Sequence, residues 1–379
     1  MSARLRRPAL VIALGALLCP GLLSAQRARS DDPDARGLKL ALGDWGIGIG
    51  DVPRLNGLRI NFTDDDIERV NGVNLTLWKP HEPVGGTVTG LSIGLVAPSA
   101  DRLRGVTVGL LAPVAERAIE GINVGGLAVV STGVIRGASA AGLALVAEDA
   151  IRGVGLAGLA VVSEGDVYGS HVAGLAVVSQ GEVQGAHAGG LALVSEGTIR
   201  GLGLGGLAVV TQGGIDGAVA GGLATVASGD VQGAAAGGLA VVADGDVRGV
   251  AAAGLAVVAS RDFTGFGLGG LAVVSGGNLD GIALAGLAVD VENRLRGFAT
   301  TAYKVKAYEV TGAALTVGWN DLQRLNGLGV GAYNRIGYQT GISIGLYNSA
   351  EVLHGVQIGL LNRADNARFR YLPLVNARF

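Results

Sequence analysis

Two histidines at the spacing of a repeat are the residues of this sequence best suited to holding a metal ion. His171 and His187 lie sixteen residues apart, so stacked repeats would place both imidazoles in one column. Two nitrogen ligands without a nearby carboxylate or cysteine make a weak metal site. The other two histidines, His81 and His354, have no partner at that spacing. We therefore expect no metal site.

A run of carboxylates, Asp64-Asp65-Asp66-Ile67-Glu68, could offer oxygen ligands to Ca²⁺. Its spacing matches neither an EF-hand loop nor the nonapeptide calcium repeat. The run lies between two segments with alternating apolar residues, which begin near Asn56 and Asn71. We interpret it as a solvated turn between two strands.

The remaining motifs do not predict catalysis or nucleotide binding. Ser163, Ser179 and Ser195 recur in one column, but no His–Asp pair recurs with them, so we interpret them as hydroxyls at strand ends. Residues 46–50 read Gly-Ile-Gly-Ile-Gly, yet no helix follows to complete a phosphate-binding loop. We expect no catalytic residue and no cofactor, and therefore a protein that is not an enzyme.

Composition narrows the possible partners. The net charge of −2 provides no basic field for nucleic acid, so we expect no nucleic-acid partner. The chain has 67 glycines and a hydrophobic content of 49%, and after residue 25 it contains no apolar run long enough for a membrane-spanning helix. Cys19 is the only cysteine, which excludes disulfide bonds within the chain.

The N-terminus has the three parts of a secretory signal peptide. Arg4, Arg6 and Arg7 precede an apolar run from Ala9 to Leu18, and small residues end at Ala25. We expect residues 1–25 to be a signal peptide and residues 26–36 a polar leader. The remaining residues, 37–379, are expected to form a single all-β repeat domain.

A sixteen-residue repeat organises this domain between residues 121 and 297. Gly-Leu-Ala recurs in eleven copies at this spacing from Gly126 to Gly286, and a second glycine column runs in the same register from Gly105 to Gly297. Degenerate repeats occupy residues 37–120. Residues 298–379 tighten to a fourteen-residue spacing, on which Asn320, Asn334, Asn348, Asn362 and Asn376 recur. We predict a structural ladder or turn for these asparagines.

One copy of the repeat predicts a short strand and a turn. Residues 138–147 are almost wholly apolar, short and without a helical period, which favours one strand or two very short ones, and residues 148–153 hold turn chemistry. Both faces of such a strand are apolar and must be covered by protein or by lipid. Two architectures satisfy this requirement: a closed membrane barrel, and a parallel β-solenoid in which Leu143, Leu145 and Ile151 point inward.

The C-terminal units resemble a known family. Gly327-Leu-Gly-Val-Gly-Ala-Tyr-Asn334, Gly341-Ile-Ser-Ile-Gly-Leu-Tyr-Asn348 and Gly355-Val-Gln-Ile-Gly-Leu-Leu-Asn362 are similar to the Gly-φ-x-φ-Gly-Leu-x-Asn units, with φ hydrophobic, of a bacterial outer-envelope surface-repeat family. The resemblance is strongest at residues 318–379 and 56–112, whereas the central array has Gly-Leu-Ala-Val-Val where Asn is expected. It implies an exported outer-envelope protein of unassigned activity, located in the outer membrane or at the cell surface.

The two chain ends favour the barrel. The signal peptide implies export, and the alternating strand that ends in Phe379 resembles the assembly signal of outer-membrane barrels. We therefore expect an all-β repeat protein with about one strand per 14–16 residues, closed as an antiparallel outer-membrane-type β-barrel, with the parallel β-solenoid as the alternative.

The fold expectation leads to two function hypotheses. The first is a non-enzymatic structural or porin-like protein of the bacterial outer envelope, in contact with the lipid bilayer or other envelope components. The alternative is an exported solenoid that acts as a surface binding or adhesion module and presents its variable column. That column contains Asn123, Ser139, Gly155, His171, His187, Gly203, Val219, Ala235, Ala251, Gly267 and Ala283. With Leu207 assigned to the core, Leu207→Asp should harm folding more than Gln212→Asp.

Overall fold

The computed structural model describes residues 37–65, 67–80 and 85–379. The predicted signal peptide and polar leader lie outside the described residues, as do Asp66 and His81. The described part of the chain consists of β-strands, bends and turns, and contains no helix. It divides between Val172 and Ala173 into two compact units, called unit one and unit two.

The strands of both units follow one another at short intervals. The strands of unit one are β1 (Gly37–Leu42), β2 (Trp45–Gly50), β3 (Arg54–Asn61), β4 (Arg69–Thr76), β5 (Thr87–Gly94), β6 (Ser99–Gly109), β7 (Val114–Gly125), β8 (Ala128–Ser131), β9 (Val134–Ala141), β10 (Ala144–Ala147), β11 (Ala150–Ala157), β12 (Ala160–Ser163) and β13 (Asp166–Ala173), which ends at the boundary. The strands of unit two are β14 (Ala176–Ser179), β15 (Val183–Gly189), β16 (Ala192–Ser195), β17 (Ile199–Gly205), β18 (Ala208–Thr211), β19 (Ile215–Gly221), β20 (Ala224–Ala227), β21 (Val231–Gly237), β22 (Ala240–Ala243), β23 (Val247–Ala253), β24 (Ala256–Ala259), β25 (Phe263–Gly269), β26 (Ala272–Ser275), β27 (Leu279–Ala285), β28 (Ala288–Thr301), β29 (Lys304–Thr316), β30 (Trp319–Val330), β31 (Tyr333–Ala364) and β32 (Tyr371–Arg378).

Strand pairing in the central array is parallel, with each residue beside its counterpart in the next repeat. In unit one, β10 pairs with β12 so that Leu145 faces Val161. In unit two, β17 pairs with β19 so that Ile199 faces Ile215. Each unit is therefore built from the coils of a parallel β-solenoid. The expectation of a closed antiparallel barrel is wrong, because each coil contains two strands and returns the chain to the same direction after every repeat.

Each sixteen-residue coil consists of a longer strand, a bend, a shorter strand and a turn. In unit two, β17 leads into a bend at Gly206 and Leu207, β18 follows, and residues 212–214 turn the chain into β19. The predicted ten-residue strand is therefore two strands, which was the second of the sequence-based options. The predicted turn over residues 148–153 is shorter, because β11 already begins at Ala150.

The interior of each unit is filled by side chains from both strands of the coil. In unit one, Leu145 and Ile151 are buried as predicted. Leu143 is not, because it lies in the bend and inward-outward alternation restarts at β10. Leu207 occupies the same bend position in unit two and is 46% exposed, whereas Val209 two residues later is fully buried. The assignment of Leu143 and Leu207 to the core is wrong.

The two glycine columns have different physical causes. The column that includes Gly137 and Gly217 lies inside the longer strands at φ angles of 108° and 138°, a region that L-residues avoid. The column that includes Gly142 lies in the bends, where a Cβ would overlap the carbonyl oxygen of Gly126 in the preceding coil. Glycine is required in the first column by conformation and by close stacking of the backbone, since a Cβ at Gly137 would overlap the carbonyl oxygen of Gly121, and in the second column by close stacking alone.

The first and last strands pair in the opposite sense to the array. β1 pairs antiparallel with β2, which continues in parallel to β3. β32 pairs antiparallel with the end of β31 and places Ile358 opposite Val375. The Gly-Ile-Gly-Ile-Gly segment at residues 46–50, which superficially resembles a phosphate-binding loop, is part of strand β2.

Candidate binding surface

The variable column is buried and cannot serve as the recognition surface that the solenoid alternative assigned to it. Asn123 and His171 in unit one are fully buried, and His187, Val219 and Ala251 in unit two are each at most 4% exposed. These residues occupy the middle of the longer strands and point into the solenoid. Variation in this column therefore changes the packing of the interior.

Burial also shifts the titration of His187. Desolvation lowers the pKa of His187, and a hydrogen bond with the backbone of Gln184 acts in the opposite direction. The imidazole is thus kept neutral inside unit two. Among the described residues, no three His, Cys, Asp or Glu side chains are grouped so that they could hold a metal ion.

The carboxylate run is solvated only in part: Glu68 is exposed as the sequence predicts, but Asp64 is not. Asp64 is fully buried and forms an ion pair with Arg59, which is also fully buried, at 2.9 Å between Arg59 Nη1 and Asp64 Oδ1. Desolvation lowers the pKa of Arg59, and the negative charge of Asp64 opposes that shift. Asp64 also accepts hydrogen bonds from the donors Asn61 Nδ2 (2.9 Å), Asn74 Nδ2 (2.9 Å), Thr76 Oγ1 (2.7 Å) and Ser99 N (3.0 Å).

This cluster has a structural role that the sequence pattern conceals. Arg59 and Asn74 occupy the position of the variable column in β3 and β4, directly opposite each other in the parallel register. The carboxylate of Asp64 folds back from the following turn to compensate the buried guanidinium. Its oxygens accept hydrogen bonds from five donors, so the carboxylate is the centre of a buried hydrogen-bond network within unit one.

The recurring serines and asparagines also have structural roles. Ser195 lies at the end of β16, with its Oγ 2.8 Å from the Gly181 carbonyl oxygen and 3.0 Å from that of Gly197, where it stabilises the turn. Four of the asparagines form the predicted ladder in unit two. Each side-chain Nδ2 donates to the Oδ1 of the next asparagine, in the steps Asn320 to Asn334 (2.7 Å), Asn334 to Asn348 (2.7 Å) and Asn348 to Asn362 (2.8 Å). Asn376 instead contacts Gln357.

Three outward columns in each unit are apolar, and together they are called the apolar face. Two columns, called the flanking columns, come from the residues directly before and after the variable column in each longer strand. The third column comes from the bend leucines. In unit one, Val154 and Leu156 are each 54% exposed, and in unit two, Leu202 and Leu204 are 58% and 56% exposed.

The flanking columns carry no Asp, Glu, Lys or Arg in the described strands β3 to β31, and their polar members are Ser170 and Thr300. In unit one they are Leu58, Ile60, Val73, Leu75, Leu91, Ile93, Val106, Val108, Ile122, Val124, Ala138, Ala140, Val154, Leu156, Ser170 and Val172. In unit two they are Ala186, Ala188, Leu202, Leu204, Ala218, Ala220, Ala234, Ala236, Val250, Ala252, Phe266, Leu268, Ile282, Leu284, Phe298, Thr300, Ala313, Leu315, Leu328, Val330, Ile342, Ile344, Val356 and Ile358.

The apolar face of unit one contains a shallow groove of ≈ 400 Å³. Its walls are side chains of one flanking column, Val124, Ala140, Leu156 and Val172, and its floor is made of Ala and Gly from the strand ends and bends. No polar side chain lines it. The groove can accept an apolar group, but it offers no hydrogen bond to orient one.

Charged side chains lie in other columns and pair with one another. In unit one, Glu120 accepts from Arg104 on one side and Arg136 on the other, at 3.0 and 3.1 Å. In unit two, Asp230 accepts from Arg261 at 2.8 Å. These pairs bring opposite charges together, whereas Glu148 and Glu164 of unit one are like charges one repeat apart: desolvation and the charges of Glu164 and Asp149 raise the pKa of Glu148.

The backbone at the apolar face is hydrogen-bonded from coil to coil, including the bends. Leu143 N donates to Leu127 O at 2.7 Å, and Ala144 N donates to the same oxygen at 3.1 Å. In unit two, Leu207 N donates to Leu191 O at 2.7 Å. The face therefore does not need water to satisfy its backbone groups.

Comparison of the chain with protein families, curated proteins and solved structures found no match. Within the described residues, no helix is both long enough and apolar enough to cross a membrane.

Proposed function

We propose that this protein is a non-enzymatic, exported β-solenoid that acts as a binding module of the outer envelope, with its apolar face as the contact surface. The observation that carries the proposal is the absence of charge from the flanking columns, combined with exposures near 55% for leucines such as Leu202 and Leu204. Continuous apolar patches larger than a few hundred Å² mark interaction surfaces in proteins that are otherwise soluble.

The other candidate functions have less support. The porin-like hypothesis depended on a closed barrel, and parallel coils take away its structural basis. Adhesion through the variable column would need that column at the surface, whereas Asn123, His171 and His187 point inward. The outer-envelope location rests on the signal peptide and on the family resemblance of the C-terminal units.

Cell fractionation with matched variants tests the proposal. The full chain is expressed with its predicted signal peptide. The double variant Leu202→Asn/Leu204→Asn is compared with Gln184→Asn/Gln232→Asn, in which both altered residues are exposed and lie outside the apolar face. We expect the native chain and the glutamine variant to sediment with envelopes. For the leucine variant, the ratio of soluble to envelope-bound protein is expected to rise about tenfold, since each lost apolar contact is worth on the order of 1 kcal/mol.

Circular dichroism of the purified variants is used to check that both retain the β-fold of the native chain. If the folded leucine variant stays with the envelopes to the same extent as the native chain, the apolar face is not the contact surface and the proposal is wrong. The glutamine variant controls for a general effect of two substitutions on sedimentation.

A further inference from the structure

We infer that the apolar face binds the surface of a lipid bilayer directly. The inference deepens the proposed function and rests on it. Its starting point is the bend-leucine column of unit two, in which every side chain is between 40% and 50% exposed. The column contains Leu175, Leu191, Leu207, Leu223, Leu239, Leu255, Leu271 and Leu287.

The bend leucines alone expose an apolar area as large as the largest patch of an ordinary monomer, and the flanking columns add to it. At these exposures the eight leucines leave on the order of 500 Å² of aliphatic surface, comparable to the largest patch of a typical monomer, about 300–600 Å². The flanking columns add Leu202, Leu204, Leu268 and Ile282, each at least 43% exposed, to the surface of the same unit. An occupant that removes this face from water must therefore be extended and apolar.

The regularity of the face favours a fluid occupant over a protein. The bend column of the array offers the same side chain in every coil, so a protein partner could slide by one coil and regain the same leucine contacts. Specific protein interfaces use polar groups to fix register, and the flanking columns supply only Ser170 and Thr300. A bilayer has no register to fix, and its hydrocarbon accepts leucine, valine and alanine equally.

The backbone meets the strictest requirement of contact with hydrocarbon. A peptide group facing lipid must have its hydrogen bonds within the protein, because hydrocarbon offers neither donor nor acceptor. The parallel ladders and the bend bonds, such as Leu223 N to Leu207 O at 2.7 Å, provide this along the face.

Aromatic and paired charged residues lie at the margin of the face in the C-terminal coils. Tyr303 follows Leu287 in the bend position, since its N–H donates to Leu287 O, and it is 56% exposed. In the adjacent column, the rings of Trp319 and Tyr333 meet edge-on at a centroid distance of 5.0 Å, and those of Tyr333 and Tyr347 stack at 5.1 Å. Tyr and Trp suit the boundary between hydrocarbon and water, where the ring is buried and the polar atom stays hydrated.

The charge pattern specifies which lipids are needed. Lys304 lies beside Trp319 in the parallel register and pairs with Asp321 at 3.2 Å, and Lys306 pairs with Asp290 at 3.5 Å. These two pairs neutralise the lysines beside the described aromatic column, and the net charge of −2 gives no overall attraction to anionic headgroups. Binding should therefore occur on zwitterionic membranes and change less than twofold between low and high salt.

Flotation with protein-free phosphatidylcholine vesicles tests the inference. The full chain, purified from cells and freed of detergent, is expected to float with the vesicles. Leu207→Asn/Leu223→Asn should lower the partition coefficient at least tenfold, whereas Gln184→Asn/Gln232→Asn should leave it unchanged. Both leucines are nearly half exposed, so the variant is expected to keep its fold, which circular dichroism checks.

The possible outcomes separate this inference from the proposed function. If the native chain does not bind protein-free vesicles but still sediments with envelopes in a leucine-dependent way, the inference is overturned. The proposed function is then retained, with a protein as the partner. Concentration-dependent dimers that the leucine variant abolishes, without vesicle binding, overturn the inference in favour of a second copy. Vesicle binding that the folded leucine variant retains overturns the inference as well.

Discussion

Single residues of this chain are constrained mainly by their counterparts one repeat away. Gly217 illustrates this: its φ of 138° suits glycine, and a Cβ there would overlap the carbonyl oxygen of Gly201. The spacing of this glycine column is visible in the sequence, but its reason is not, because a glycine can mark a turn, a bulge or a close approach equally well.

Gly217→Ala is expected to destabilise the protein by about 2–4 kcal/mol, because a left-handed φ and a backbone overlap add together. Ala234→Ser, at an exposed position of a flanking column, is the matched control and should cost less than about 0.5 kcal/mol. Thermal unfolding followed by circular dichroism measures both. Equal melting temperatures for the two variants would show that the glycine is not conformationally required.

The buried ion pair of Arg59 and Asp64 gives a second prediction at this scale. Asp64→Asn removes the main counter-charge of a buried guanidinium and leaves only the weaker charges of Asp51 and Asp65, so we expect a loss of about 3–5 kcal/mol of unfolding free energy. Replacing both partners, as in Arg59→Met/Asp64→Asn, removes the uncompensated charge and should restore part of that loss. Urea unfolding followed by tryptophan fluorescence makes the comparison, and a double variant less stable than Asp64→Asn would contradict it.

At the scale of the strands and turns, some features could be predicted from the sequence and others could not. The sixteen-residue period, the turns near residues 148 and 164, the Asn ladder and the inward direction of Leu145 and Ile151 follow from residue types alone. The barrel expectation failed because alternating apolar residues suit a lipid-facing strand and a solenoid strand equally. Leu143 was misassigned because alternation was carried through a bend that the backbone uses to restart it.

The apolar face could not be predicted for the same reason. Its leucines have the composition of a core, and their outward direction becomes visible only once the bends after β9 and β17 are located. The buried pair of Arg59 and Asp64 was equally hidden, because a carboxylate run between strands has the composition of a solvated turn. What the sequence lacks in both cases is the direction of the side chain after an irregular residue.

The corrected strand faces make a prediction of their own. Val209 is fully buried and Leu207 is 46% exposed, so Val209→Asp places an unpaired charge in the interior while Leu207→Asp places one in water. We expect Val209→Asp to cost more than about 4 kcal/mol and to abolish folded expression, and Leu207→Asp to cost about 1 kcal/mol or less. Soluble yield and melting temperature measure the difference; the opposite order of stability would contradict the assigned faces.

At the scale of the whole molecule, stability is divided among coils that contact mainly their neighbours. In strands β17 to β21 of unit two, each strand residue pairs with the residue sixteen positions away. In such an array, free energy is approximately a sum of coil and interface terms. The chain can therefore lose a whole coil more easily than a fraction of one.

Deleting residues 217–232 removes one coil of unit two and brings Gly233 into the register that Gly217 holds above Gly201. The deletion should leave a cooperative unfolding transition with a melting temperature within a few degrees of the native value, because every remaining column keeps its partners. Deleting residues 217–224 instead shifts the register by half a repeat, places outward leucines opposite inward valines, and should abolish folding. Circular dichroism melts of the two deletions decide between them. If both deletions fold equally well, stacking of equivalent residues does not hold the coils together. If neither folds, the coils are more strongly coupled than nearest-neighbour contacts allow.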